Sequence, residues 1–293
     1  MSYSYKADLA ILTLTVLVAI GWVTSQLGTG LMPPLLFTGI RFSVSALLLT
    51  LFCYKQLVQL KQESLWLAVK TGLVLVMASI VWIYAVSLSE QIGEGAFITS
   101  TKTLLVPFIG YFLFKISIPG QVFFALPVAV TGLGLLVLDG NWQFEPAQVL
   151  FLLAACLYAL HAILLNRFGQ GIPAMALTTI QMYLVGVVSL AGSLLFEPIS
   201  ISMTSDAGVI LCISIFVATC LRFCCQTWGF KHSEPNRTAI IMILEPVWTS
   251  LLGVWMFNEV FEMQGLLGCV LIVLALVITR WSPFRKRVVT GFE

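Results

Sequence analysis

From residue 8 to residue 281 the chain is a succession of continuously apolar runs, separated only by short clusters of Pro, Gly and charged residues. Each run is about 20 residues long, enough for a helix to cross a hydrocarbon core of ~30 Å. No other arrangement of backbone suits such a run in lipid, because a helix satisfies every N–H and C=O within itself. A membrane barrel would need alternating apolar and polar residues, which these runs lack. Only 10% of the 293 residues are charged and 59% are hydrophobic, whereas a soluble domain carries roughly 25% charged residues. The expected fold class is an all-α polytopic membrane protein.

Cutting at Pro, Gly and charge clusters gives ten segments, near 8–30, 34–54, 64–88, 95–114, 119–138, 147–167, 173–196, 207–230, 238–257 and 263–281. The first has no small-x-small cleavage site and is followed by more runs, so it reads as a span rather than a signal sequence. Short connections such as Pro33-Pro34 make neighbouring helices antiparallel. The charges then orient the bundle. With the N-terminus inside, the inner loops and tails carry Lys6, Lys55, Lys61, Lys115, Arg167, Lys231, Arg237, Arg280, Arg285, Lys286 and Arg287. The outer loops carry only Glu90, Glu94, Asp139, Glu145, Glu197, Asp206, Glu259 and Glu262. This asymmetry predicts that both termini are cytoplasmic. The cysteines (Cys53, Cys156, Cys212, Cys220, Cys224, Cys225, Cys269) lie in or beside apolar runs without ligand spacing, and read as small hydrophobes.

Ten spans invite a division into two fives. A displacement of 143 residues lays SEQIGEGAFITSTKTLLVP (89–107) over HSEPNRTAIIMILEPVWTS (232–250), with Ala96 on Ala239 and Gln121 on Gln264. Five is odd, so the halves, 1–140 and 141–293, must be inverted. Lys102, an ammonium in an otherwise apolar helix, falls on Glu245. Each lies about eight residues, or ~12 Å, inside its own helix end and so near the bilayer midplane. A charge there costs roughly 2.5–3.5 kcal/mol on insertion scales if it faces lipid. The expectation is that the two face each other, or a ligand, across a pseudo-two-fold axis, as in secondary transporters.

GWVTSQ (21–26), PPLLFTGIRF (33–42), AFITSTKTLLVPFIG (96–110) and AIIMILEPVWTSLLGVWMFNEVFEMQGLLGCVLIVLALVI (239–278) together resemble the drug/metabolite transporter superfamily, EamA-type. The resemblance covers essentially the whole chain. It implies ten helices in two inverted halves, export or exchange of small metabolites, and a central cavity lined by helices 1, 3, 4, 6, 8 and 9. Helices 5 and 10 would be peripheral. Lys102 departs from the family's usual uncharged residue at that place.

The candidate substrate-binding residues follow from depth and helical spacing. Glu245 precedes Pro246, which weakens the helix at that level. Arg222 shares a helical face with Thr219 and Gln226. Trp22 with Gln26, and Tyr158 with His161, lie one turn apart, and Trp82, Tyr84 and Trp248 add aromatic surface. His161 can titrate near neutral pH and so relay protons. Arg41 and Lys70, ~10 Å from their helix ends, can snorkel and read as structural. No nucleotide-binding, metalloprotease or serine-hydrolase motif is present, so no cofactor is expected and ATP-driven pumping is disfavoured.

The expected function is secondary transport, efflux or facilitation by alternating access across the cell inner membrane. The expected substrates are amino-acid-like zwitterions or organic ions, with Lys102 answering a carboxylate and Glu245 an ammonium. The expected partners are a small-molecule substrate, the lipid bilayer and protons as a candidate coupling ion, with no nucleic acid, in a monomer or weak dimer. The alternative is an integral-membrane enzyme acting on a lipid-soluble substrate, with Glu245 and His161 as acid and base.

Overall fold

A computed structural model of the chain describes residues 2–137, 145–198, 205–232, 238 and 240–280. Asp139, Arg237, Ala239, Arg285, Lys286, Arg287 and the 140/141 boundary between the expected halves lie outside the described residues. All regular structure within them is helical. The chain runs α1 (Ser2–Leu31), α2 (Pro34–Val58), α3 (Gln62–Leu88), α4 (Ile92–Ser100), α5 (Lys102–Phe114), α6 (Gly120–Val137), α7 (Pro146–Phe168) and α8 (Ala174–Phe196). After these come α9 (Ser205–Cys212), a π-helical stretch (Ile213–Leu221), α10 (Arg222–His232), α11 (Leu244–Phe257) and α12 (Met263–Arg280). Among the described residues, seven helical stretches are long and apolar enough to cross a membrane, and two shorter apolar helices, Gly120–Leu136 and Met263–Thr279, accompany them. Large apolar side chains such as Phe52, Phe124, Leu195 and Trp255 stand on the outside of the bundle. Such a surface has no stable place in water. The molecule is a polytopic membrane protein.

Three predicted spans are not simple helices. The fourth is two helices, α4 and α5, meeting at Thr101, whose N–H bonds to the carbonyl of Ile98 rather than one residue further back. The ninth is interrupted by a turn at 242–243, where Glu245 N–H reaches back only to Met242 O. Pro246, next along, has no N–H to offer that carbonyl. The eighth contains the π stretch, in which the Thr219 hydroxyl donates to Ser214 O, five residues back.

α2 packs on α8, α3 on α7 and α8, α1 on α10 and α11, and α4 on α11. α6 and α12 pack on each other at the side of the bundle. Their closest approach is at Gly132 and Gly268, where a Cβ on Gly268 would lie 2.6 Å from Gly132 O. Glycine lets the two backbones meet, the usual way helices associate where lipid offers no hydrophobic drive. Many hydroxyls in the spans are satisfied locally, as when Thr50 donates to Ala46 O and Thr249 to Glu245 O.

The end of the bundle predicted to lie outside is tied by acidic side chains. Glu197 accepts from the N–H groups of Leu35 and Leu36 at the start of α2, and Glu259 from those of Ile92 and Gly93 at the start of α4. Gln148 donates to Glu94 at 2.7 Å, joining α7 to α4. Carboxylates placed on the orphan N–H groups and positive dipole ends of helices suit this position.

Candidate binding cavity

Within the bundle lies a cavity of about 280 Å³. Its wall is built from α1, α2, α3, α4, α5, α7, α8, α10 and α11, with nothing from α6 or α12. The peripheral place expected for helices 5 and 10 agrees with this. The second and seventh spans, α2 and α8, contribute beyond the expectation, through Thr38, Arg41 and Phe42 and through Thr178, Gln181 and Met182.

Eight of the expected site residues line this cavity: Trp22, Trp82, Lys102, Tyr158, His161, Arg222, Gln226 and Glu245. They come from chain positions more than 200 residues apart, which only the tertiary fold brings together. Trp22 meets Trp82 edge-on at 4.8 Å between ring centres and Phe151 at 5.6 Å, a rigid aromatic wall. The Lys102 ammonium stands 5.6 Å over the Tyr158 ring. Its charge is thus answered in part by an aromatic face. Lys102 and Glu245 face this shared space without an ion pair between them. Both also border a smaller side cavity of about 100 Å³ with Ser100, Thr103 and Pro246, so they stand on the partition between two spaces. Glu245 shares the wall of the main cavity with Arg222.

Three expected site residues are elsewhere. Gln26, one turn beyond Trp22, donates to Ser89 O at 2.9 Å and ties α1 to the end of α3. Tyr84 donates to Glu197 at 3.2 Å, at the outer end of α3. A helical turn advances ~5.4 Å, so residues adjacent on one face can leave a small cavity altogether. Trp248 lies outside the lining, with its indole N–H buried and without a hydrogen-bond partner among the described residues.

Arg41 is the largest departure. The guanidinium does not snorkel; the residue is 4% exposed and lines the cavity. Nη1 donates to Ser25 Oγ at 2.8 Å, Nε to Thr219 Oγ1 at 2.9 Å, and Nη2 to Ala218 O at 3.5 Å. Two of these acceptors belong to the π stretch, where the extra residue per turn alters the backbone register, as π segments at functional sites often do. Gly21 leaves room, since a Cβ there would come within 3.4 Å of Nη2. Thr219, grouped with Arg222 by spacing, therefore serves Arg41. Lys70, the other candidate for snorkelling, is exposed on α3.

Thr38, Ser79, Thr99 and Gln181 are buried polar residues of the wall that sequence reasoning passed over. Thr38 with Arg41 and Thr178 with Gln181 have the i, i+3 spacing that made Arg222 a candidate, and were legible by the same rule. Thr99 Oγ1, His161 Nε2 and Arg222 Nε are buried without a partner among the described residues. Buried polar atoms are ordinarily bonded, and those left open in a cavity are places for a ligand or water. The arrangement can bind and orient a small charged molecule. A group of three or more side chains able to hold a metal ion is not found among the described residues.

A polytopic bundle with a charged internal cavity can hold a small solute within the membrane, and the proteins this chain is similar to are transporters by name. Residues 146–281 match the EamA-like transporter family. An "uncharacterized transporter" of Archaeoglobus fulgidus is 24% identical over 188 residues, 63% of this chain and 59% of that protein. The "uncharacterized transporter YoaV" of Bacillus subtilis is 21% identical over 293 residues, covering 97% of this chain and 99% of that one. A solved crystal structure shares the fold with a TM-score of 0.64 at 18% identity, over 94% of this chain and 96% of that one. The second half of the chain thus resembles the EamA-like transporter family, and the whole chain is similar to a protein named as a transporter.

Proposed function

We propose that this protein carries small charged metabolites, amino-acid-like zwitterions or organic ions, across the cytoplasmic membrane by alternating access between two inverted five-helix halves. The observation that carries the reading is the 280 Å³ cavity whose charged groups come from both halves: Arg41 and Lys102 from one, Arg222 and Glu245 from the other. A secondary transporter needs its site at the junction of its repeats, so that rocking of the halves exposes it first to one side and then to the other. The volume lies below the range usual for drug-sized ligands, which favours a metabolite of a few carbons.

The inversion is supported by helix boundaries. Displaced by 143 residues, α6 (120–137) coincides with α12 (263–280), and the left-handed residue ending α5, Lys115, coincides with the one ending α11, Asn258. The helix contacts also exchange in pairs: α1 on α10 becomes α7 on α3, and α1 on α11 becomes α7 on α4. The test is counterflow in liposomes of purified protein with labelled amino acids and organic acids. We expect exchange of at least one labelled compound, reduced tenfold or more by Glu245→Gln and by Arg222→Met. Chemical conversion of a lipid-soluble compound without exchange would instead identify an enzyme using Glu245 and His161.

A further inference from the structure

We propose that the ligand of the central cavity is a small net anion, with two acidic groups and at most one amine, held between Arg41 and Arg222. This rests on the reading of the cavity as a substrate site and narrows its substrate class. The argument is a charge inventory of the wall. Three cations, Arg41, Lys102 and Arg222, face the space, against a single carboxylate, Glu245. The contacts of Arg41 to Ser25, Thr219 and Ala218 are to neutral acceptors. They fix the guanidinium in place and leave its charge uncancelled. Arg222 lies 4.9 Å over Phe223, its Nε is buried and without a partner among the described residues, and it lines the same 280 Å³ cavity as Arg41.

Two like charges brought together at membrane depth are sustained by something opposite. Glu245 shares the cavity wall with Arg222 but can neutralise only one of the three cations. An anion entering between the guanidiniums meets the planar fork of Arg222, suited to carboxylate or phosphate, and the two N–H donors that Arg41 has left. A zwitterion of net zero charge leaves the surplus as it was, and a cation worsens it. One amine is admissible, because Glu245 can receive it. Lys102, over Tyr158 at the far side of the inventory, is placed for a second acidic group.

The experiment is thermal unfolding of the whole protein in nanodiscs at fixed ionic strength, with succinate, L-glutamate, inorganic phosphate, L-alanine and choline as probes. We expect a saturable rise, about 5 °C at a hundredfold excess over Kd, with at least one of the three anions and none with alanine or choline. Arg222→Met should abolish the response and Arg222→Lys should retain part of it. Glu245→Gln, which removes the opposing carboxylate, should strengthen the response to succinate or phosphate even though it impairs transport, and this variant decides the matter if Arg222→Met fails to fold. No response to any of the three anions overturns the proposal, as does a weakened response in Glu245→Gln. Counterflow of alanine or choline without anion binding would sink the anion assignment alone. Anion binding in a protein that moves nothing would sink the transport reading and leave the anion site standing.

Discussion

An arginine eight residues into α2 has two places to put its guanidinium, the nearby membrane surface or the bundle interior, and depth alone does not choose. Arg41 takes the interior because Gly21 leaves space and Ser25 and Thr219 present oxygens. Those partners lie 16 and 178 residues away in the chain, which is why sequence reasoning missed them. Both hydroxyls keep bonds of their own, to Gly21 O and Ser214 O. Removing the arginine thus strands no donor and relieves a buried charge. We expect Arg41→Met to be at least as stable as wild type in thermal unfolding, with transport lost. Arg41→Lys should be less stable by about 1–3 kcal/mol, because one ammonium replaces a three-way fork while the charge stays buried. The Lys102–Glu245 pair yields a second number. With no direct ion pair, a double-mutant cycle of Lys102→Met and Glu245→Gln should return a coupling near or below about 0.5 kcal/mol, against several for a buried bridge. A larger coupling would mean the two meet in another state of the transporter. The charged lining of the cavity was otherwise legible, since a charge deep in an apolar span is costly against lipid, whereas Lys70, nearer its helix end, is exposed. Which inward-facing groups touch was not legible, because contact depends on helix rotation to within a fraction of a turn.

At the scale of elements, the long apolar helices and most of their ends could be read to within a few residues, because Pro, Gly and charge are costly in lipid and mark the boundaries. The π stretch and the break at Thr101 could not, as both change the hydrogen-bond register without changing composition. The tie between α4 and α11 was equally hidden, since Glu259 looks like any loop carboxylate. It is 7% exposed, accepts from Ile92 and Gly93, and fits beside Gly253, whose Cβ would collide with it. Burial raises its pKa above the usual 4.5, opposed by the two backbone donors. A carboxyl whose pKa is higher folded than unfolded favours folding most when protonated. Its contribution is fully present below the unfolded pKa and is lost as pH rises through the folded one. Wild type should therefore gain stability relative to Glu259→Gln as pH falls into the range just above ordinary carboxylate titration. The check is the difference between their melting temperatures across pH 4–7, a range chosen around the reference Glu pKa of about 4.3. Glu259→Ala should cost about 1–3 kcal/mol at any pH by leaving two buried N–H groups without an acceptor.

The whole molecule must also be placed in the membrane the right way round, and here its charge distribution makes the firmest prediction. Glu197 and Glu259 cap helices at one end of the bundle, where Glu94 also meets Gln148. Lys55, Lys61, Lys115 and Arg167 lie at or beyond the opposite ends of α2, α3, α5 and α7. Basic residues in short loops resist translocation, so the basic end belongs in the cytoplasm. On the proposed division into two halves of five spans, the halves enter in opposite senses, because five is odd. Reporter fusions after Lys61 and Arg167 should read as cytoplasmic, and fusions after Glu145 and Glu259 as external. An internal reading at Glu145 would leave the second half in the same sense as the first. The coincidence of α6 with α12 under the 143-residue displacement would then be a likeness of parts with no two-fold axis to relate them. Alternating access would lose its geometric basis, because only opposed halves offer equivalent openings to the two sides of the membrane. Agreement at all four sites would put the cavity's cations between two gates of the same construction, with Lys102 and Glu245 exchanging places across the axis.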